Sequence, residues 1–156
     1  EHGWFDKRWM YEESFRTPLL VRYPGGVKGE IDEMVQNIDY APTFLELAGV
    51  EIPDDIHGCS FLPLLKGENY EPNRDGIYYH YYEFPDEHNV KPHLGIRTER
   101  YKLIHFYEDD IWELYDLQND KNEMNNIYGK EGTEELTIVL KDKLEKLKEQ
   151  YGEEEF

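Results

Sequence analysis

The sequence predicts an α+β chain in which a four-stranded antiparallel sheet is packed by a long C-terminal helix. Two patterns carry this reading. Between residues 76 and 117, four short runs rich in Tyr, Ile and Phe alternate with turn residues, the signature of consecutive hairpin-linked strands. Residues 133–151 then hold apolar side chains at helical spacing on one face. A third observation says that these elements have a core to build. Aromatic residues make up 15% of the chain, with 13 Tyr, which is far too rich for a disordered acidic chain. The closing helix carries the one spare apolar stripe, so it is expected to lie across the sheet as a second layer.

Taken in order, residues 1–17 are polar and aromatic with no clean period. The start, Glu1-His2-Gly3-Trp4-Phe5, reads as the interior of a longer polypeptide. Residues 18–24 form a short apolar run bounded by Pro18 and Pro24, expected as a buried strand, and Pro24-Gly25-Gly26 is a turn. Residues 39–49 read as a helix with Asp39 as N-cap, Pro42 in the first turn and Gly49 as its stop; Ile38, Phe44, Leu45, Leu47 and Ala48 are expected to face a core. Residues 50–75 are loop and turns around an apolar anchor, Phe61-Leu62-Pro63-Leu64-Leu65. The four strands are expected at Ile77–Phe84, Leu94–Thr98, Arg100–Tyr107 and Trp112–Leu117. In the closing helix, Leu136, Val139, Leu140, Leu144, Leu147 and Tyr151 share a face. Glu134 and Glu135 occupy its first turn and lysines its later turns, as the helix dipole favours. Two parts result, residues 1–75 and residues 76–156.

Charge excludes several partners. The chain has 156 residues, 17 Lys+Arg and 35 Asp+Glu, for a net charge of −18. Nucleic acids and anionic membranes need a basic footprint, so neither is expected as a partner. No apolar run approaches the roughly 18 residues of a membrane span. A single cysteine, Cys59, rules out an intrachain disulfide framework and a multi-cysteine zinc site. The acidic excess is uneven: residues 1–24 balance four acids with four bases, and residues 88–107 carry four bases against one acid.

Those two stretches hold the candidate site residues. Residues 1–16 gather His2, Asp6, Lys7, Arg8, Tyr11, Glu12, Glu13 and Arg16 just ahead of the expected strand, where sites of α/β proteins collect. Lys7 is a candidate anion clamp, a compact point charge suited to phosphate or sulfate, and Glu12 and Arg16 would pair on a helical turn. The alternative is a solvated charged loop. Residues 88–107 combine His88, His93 and His105 with Lys91, Arg97, Arg100 and Lys102. They form either an anion-binding loop and hairpin or basic strand residues balancing carboxylates across the sheet. The balancing role suits Arg100 and Lys102, and the open loop suits His88 and His93. No metal site is expected: His80 and Glu83 would fall on opposite strand faces, and the acidic runs 108–110 and 119–123 lack calcium-loop spacing. A Cys59–His57 nucleophile pair is conceivable, but residues so close in sequence rarely orient that way.

Several segments in series resemble one family. Glu1–Ser14 running into Arg16-Thr17-Pro18-Leu19-Leu20-Val21-Arg22-Tyr23-Pro24, then Asn37–Thr43, His57–Gly67, Gly95–Ile104, Glu113-Leu114-Tyr115-Asp116-Leu117, Asn119-Asp120 and Glu123–Asn126, resemble the later part of type I, formylglycine-dependent sulfatases of the alkaline phosphatase superfamily. Tyr79-His80-Tyr81-Tyr82-Glu83 and the His-rich loop after it are most similar to N-acetylglucosamine-6-sulfatase-like and heparan- or mucin-desulfating members. The resemblance implies that residues 1–75 are the end of the α/β catalytic core with a linking loop, and residues 76–156 a C-terminal sheet-and-helix subdomain. It implies a catalytic role for Lys7, holding a sulfate oxygen and the developing charge, with His2 beside the same cleft. It implies substrate binding by His88, Lys91 and His93, with Arg97 behind them. The parent would hydrolyse sulfate esters of glycans of glycosaminoglycan or mucin type, 6-O-sulfated N-acetylglucosamine among them, in a secreted, periplasmic or lysosomal setting. Its partners would be the sulfated glycan and the missing N-terminal sulfatase core. The family's Cys-x-Pro/Ser-x-Arg nucleophile motif does not match Cys59-Ser60-Phe61-Leu62-Pro63, and its calcium aspartates lie upstream. This chain is therefore expected to hold no cofactor and to be inactive alone, calcium and formylglycine belonging to the parent. Two other readings stand beside this: a phosphoesterase of the same superfamily, and a non-catalytic carbohydrate-binding or structural module.

Overall fold

The computed structural model describes residues 2–3, 7–72, 74–85, 87 and 89–153. The chain divides into two compact units, residues 1–18 with 75–156, and residues 19–74. The first 18 residues thus group with the sheet.

In the first unit, β1 (Ile77–Tyr81), β2 (His93–Arg97), β3 (Tyr101–Phe106) and β4 (Ile111–Asp116) form an antiparallel meander in sequence order, the expected α+β architecture. Register sorts their side chains into rows. Tyr78, Ile96, Leu103 and Leu114 line up across the sheet on one face. Against that face packs α4 (Glu134–Gln150), burying Leu140, Leu144 and Leu147. Burying each such leucine is worth about 1.5–3 kcal/mol. Val139 departs from expectation: one residue from Leu140 turns it about 100° around the helix, and it is exposed.

The opposite face is covered too, by residues the sequence left without a period. Met10, Tyr11, Ile104, Phe106, Tyr115 and Leu117 form a second core, with Trp9, Phe15 and Tyr79 against it. One row of this face reads Tyr79, Gly95, Ile104, Glu113. Gly95 leaves a gap in that row, and Met10 fills it: a Cβ built on Gly95 would lie 2.7 Å from Met10 Sδ and 2.4 Å from the Leu103 carbonyl oxygen. A sheet buried on both faces explains why its strands read as aromatic and apolar almost throughout.

The second unit contains a 3-10 turn at Asn37–Asp39, α2 (Tyr40–Leu47) and α3 (Leu62–Lys66). The apolar anchor behaves as expected, with Phe61, Leu62 and Leu64 buried, although it coils into α3 where a loop was expected. The strand expected at 18–24 does not form; Leu19, Leu20 and Val21 are exposed. A strand exists only by pairing, and no described segment pairs with this one. The apolar side of α2 is likewise uncovered, with Ile38, Phe44 and Leu47 exposed. The helix presents Pro42 and Thr43 inward instead. Asp39 and Thr43 bind the 59–61 loop through hydrogen bonds, so the helix docks by its polar side.

Candidate functional site

The site is built on the segment carrying Lys7, and that segment is held by its backbone. Residues 8–11 run extended or bent into α1 (Glu12–Phe15), a single turn. Such a stretch makes no ladder, so its polar groups need partners from side chains. The Tyr79 hydroxyl donates to the Arg8 carbonyl at 2.9 Å. The Ser14 hydroxyl donates to the Trp9 carbonyl. The Lys102 ammonium donates to the Met10 carbonyl at 2.6 Å, and the Glu12 N–H donates to Glu123 Oε2 at 2.6 Å. Three consecutive carbonyls, 8, 9 and 10, are thereby claimed by side chains. Lys7, exposed, stands immediately before them.

Beneath the segment lies a buried ion network. Lys102 is fully buried, with Nζ 2.8 Å from Glu12 Oε1 and 2.6 Å from Glu123 Oε1. Arg97 Nη2 lies 3.2 Å from Glu12 Oε2. Two cations thus meet two carboxylates, and the network is neutral as a whole. Burial pushes the Glu12 carboxyl up, but Lys102 and Arg97 outweigh it and hold the group below the usual carboxylate range. At Glu123 burial prevails over the same ammonium, and its carboxyl titrates above the ordinary value. Nearby, Glu113 accepts from Tyr11 at 2.9 Å and Tyr115 at 3.0 Å; burial, reinforced by this carboxylate, raises both phenols.

The residues singled out in the sequence fall in different settings. His2 stacks on Tyr11, ring centroids 3.8 Å apart, and its Nε2–H donates to the Asn122 carbonyl at 3.1 Å. His2 and Arg97 thus both meet the N-terminal segment, through Tyr11 and Glu12, and Lys7 precedes those two residues on it. Arg97 is engaged with Glu12 and with the Thr98 and Glu99 carbonyls. The expected Glu12–Arg16 pair is replaced by Glu12 with Lys102 and Arg97, because α1 is one turn long and points Glu12 at the sheet. Lys91 is half-exposed and pairs with the Asp109 carboxylate. His88 lies outside the described residues.

His93 is not the open loop residue its surroundings in sequence imply. It is the first residue of β2 and is 0% exposed. Trp9, Tyr79, Tyr81 and Phe106 surround its ring with centroids 5.0–5.8 Å away. Its Nδ1–H donates to the Lys91 carbonyl at 2.9 Å, while Nε2 is buried without a partner among the described residues. Burial lowers its pKa. The balancing role expected for Arg100 is seen in its two bonds to Asp116 on β4, 3.0 and 2.7 Å.

Lys102, given a balancing role across the sheet, instead balances Glu12 and Glu123 from the segment and turn above it, and Glu123 was not among the candidates. Lys102 carries a signal: it alternates with Ile104 and Phe106 on one strand face, where an unpaired charge is intolerable. Glu123 carries none, since it is one of two acids in a polar turn and its burial depends on the segment above it.

The resemblance implies calcium in the parent. Among the described residues His2, Glu13 and Glu123 offer ligand atoms within 4.8 Å of one another. Calcium takes six to eight oxygens, whereas this set brings a ring nitrogen and a carboxylate already paired with Lys102; it does not fit. No helix of the described residues is long and apolar enough to cross a membrane.

Comparison with known proteins covers nearly the whole chain. The family model for the N-sulphoglucosamine sulphohydrolase C-terminal region matches residues 1–150. An N-acetylglucosamine-6-O-sulfatase of Bacteroides thetaiotaomicron is 53% identical over 97% of this chain and 28% of its own length. A solved structure of a protein in complex with its substrate D-glucosamine-2-N,6-O-disulfate matches 99% of this chain and 32% of that one, with TM-score 0.88 and 50% identity. A phosphonate monoester hydrolase from Silicibacter pomeroyi matches 93% of this chain and 31% of that one, with TM-score 0.77 and 25% identity. The chain thus spans about a third or less of the proteins it matches. With a family match over nearly its whole length, the chain belongs to the N-sulphoglucosamine sulphohydrolase C-terminal family.

Proposed function

We propose that the full-length protein is a sulfatase that hydrolyses sulfate esters of amino-sugar glycans, with 6-O-sulfated N-acetylglucosamine as the favoured unit. The observation that carries this is the 53% identity to an N-acetylglucosamine-6-O-sulfatase across 97% of the chain. The likeness to a structure holding a 6-O-sulfated glucosamine supports the same substrate class. Lys7 contacts the sulfate and stabilises charge developing on its oxygens, with His2 beside it. His88 and Lys91 bind the sugar; His93, buried and bonded to the Lys91 carbonyl, serves that binding from behind the loop, and Arg97 serves it from its place on Glu12. Residues 1–75 complete the catalytic core of the parent and residues 76–156 form its C-terminal subdomain. A formylglycine nucleophile and calcium come from elsewhere in the parent, which works in a secreted, periplasmic or lysosomal setting.

The likeness to a phosphonate monoester hydrolase favours a second reading, a phosphorus ester as substrate. The deciding experiment gives the full-length protein 6-O-sulfated N-acetylglucosamine and a phosphonate monoester side by side. Release of sulfate with little phosphonate hydrolysis is expected. The reverse preference would replace the proposal with the second reading.

A further inference from the structure

We infer that Lys102, Glu123 and Tyr79 are positioning residues for Lys7, a step that rests on the sulfate-contacting role proposed for Lys7. None of the three needs to touch substrate. Each grips the main chain of the segment that Lys7 heads. Tyr79 holds the carbonyl of Arg8, the very next residue. Lys102 holds the carbonyl of Met10 and the carboxylate of Glu12. Glu123 holds the Glu12 N–H with one oxygen and Lys102 with the other.

Two features make this more than ordinary packing. A fully buried lysine costs free energy unless every donor is used, and a methionine or leucine would fill the same place on β3 without that cost. Lys102 uses its ammonium on a backbone carbonyl and on two carboxylates that themselves fix the segment, so its charge acts as a three-way tie. Glu123 reaches the network from a left-handed backbone, φ +54°, a conformation that costs a non-glycine residue free energy. Asp120 builds the turn that imposes it, accepting the N–H groups of Met124 and Asn125 at 3.1 and 2.7 Å, while the Glu123 N–H reaches the Asp120 carbonyl at 3.2 Å. The ties come from β1, β3 and the 119–125 turn, so the segment is located from three directions. A side chain that must meet a sulfate within a fraction of an ångström needs such a base.

The test is a double-mutant cycle on the full-length protein, with sulfate release from a sulfated N-acetylglucosamine as readout. Lys102→Met, Glu123→Gln and Tyr79→Phe are each made in the wild-type and in the Lys7→Ala background. Tyr79→Phe deletes one oxygen and keeps the ring, so it reports even if the charged-residue variants do not fold. Each variant that folds is expected to lower kcat by roughly ten- to a hundredfold with little change in KM. Combined with Lys7→Ala, each should cause little further loss, because a misplaced lysine and an absent lysine forfeit the same interaction. Wild-type kcat in Tyr79→Phe, or losses that multiply in the Lys7→Ala background, would overturn the inference. Wild-type turnover in Lys7→Ala itself would instead remove the role of Lys7.

Discussion

Asp39 shows how much one side chain can organise. It sits at the N-cap position of α2, as its sequence context implies, yet its carboxylate makes no cap bond. It accepts instead from the N–H of Gln36 and Cys59, at 2.7 and 2.8 Å, and from both Arg74 terminal nitrogens at 2.8 and 2.6 Å. Gly58 permits this closure, since a Cβ there would lie 2.0 Å from the Ile38 carbonyl oxygen. Asp39 and Arg74 are 0% and 3% exposed, so Asp39→Ala removes one partner of a buried ion pair, a change that costs about 3–5 kcal/mol. The expected readout is loss of amide-exchange protection at Cys59 and Phe61; unchanged protection would mean the loop is held by other contacts. Lys7→Ala, in the full-length protein, is expected to lower sulfate-ester turnover by about two orders of magnitude, as for other preorganised charge stabilisers. Turnover at the wild-type level would remove Lys7 from the site. His93 adds a pH dependence. Its folded pKa lies below the ordinary 6.5, so the unfolded chain binds the extra proton first. The stability that neutral His93 contributes is complete above about pH 6.5 and declines as pH falls below it. His93→Phe, which suits the aromatic surround, should flatten that decline in urea titrations between pH 7 and 5. Equal slopes for both proteins would show that other groups carry the proton.

Among the elements, α4 and the strands announce themselves and the N-terminal segment does not. Leu140, Leu144 and Leu147 keep helical spacing, so Leu144→Ala should cost about 2–5 kcal/mol, read as a lower thermal midpoint. The strand runs were legible because aromatic and β-branched residues cluster between turn residues, and their ends shifted by only a few positions. His93 was misread for that reason alone: Pro92 marks the turn, and pairing with Tyr81 begins one residue later. The cover on the second sheet face was illegible because its logic is spatial. Nothing periodic in Trp9-Met10-Tyr11 says that Met10 will enter the gap over Gly95. Gly95→Ala tests that fit directly. With a carbonyl oxygen 2.4 Å from the new Cβ, the sheet or Met10 must move, at a cost of roughly 1–3 kcal/mol, and amides of residues 10–15 should exchange faster. A variant with the wild-type midpoint and wild-type exchange would mean the segment is seated elsewhere.

At the scale of the whole molecule, two properties oppose each other. The net charge of −18 makes copies of the chain repel. The unit of residues 19–74 meanwhile exposes a run of large apolar side chains: Leu20 is 95% exposed and Phe44 68%, with Val21, Ile38, Leu47 and Val50 also open. Large apolar side chains left open to water in this number favour association between copies of the polypeptide. Which tendency prevails depends on salt. At about 0.01 M ionic strength the screening length is roughly 30 Å, and at 1 M it is roughly 3 Å, so repulsion between copies is strong in the first case and nearly gone in the second. The 156-residue polypeptide is therefore expected to be monomeric in dilute buffer and to self-associate as salt rises, measured by sedimentation across a salt series. Leu20→Asp with Phe44→Asp should keep it monomeric throughout, because the pair removes apolar area and adds charge at the contact. Association that weakens with salt, or that survives the double substitution, would place the contact on charged surface and leave the apolar face of α2 without a role in it.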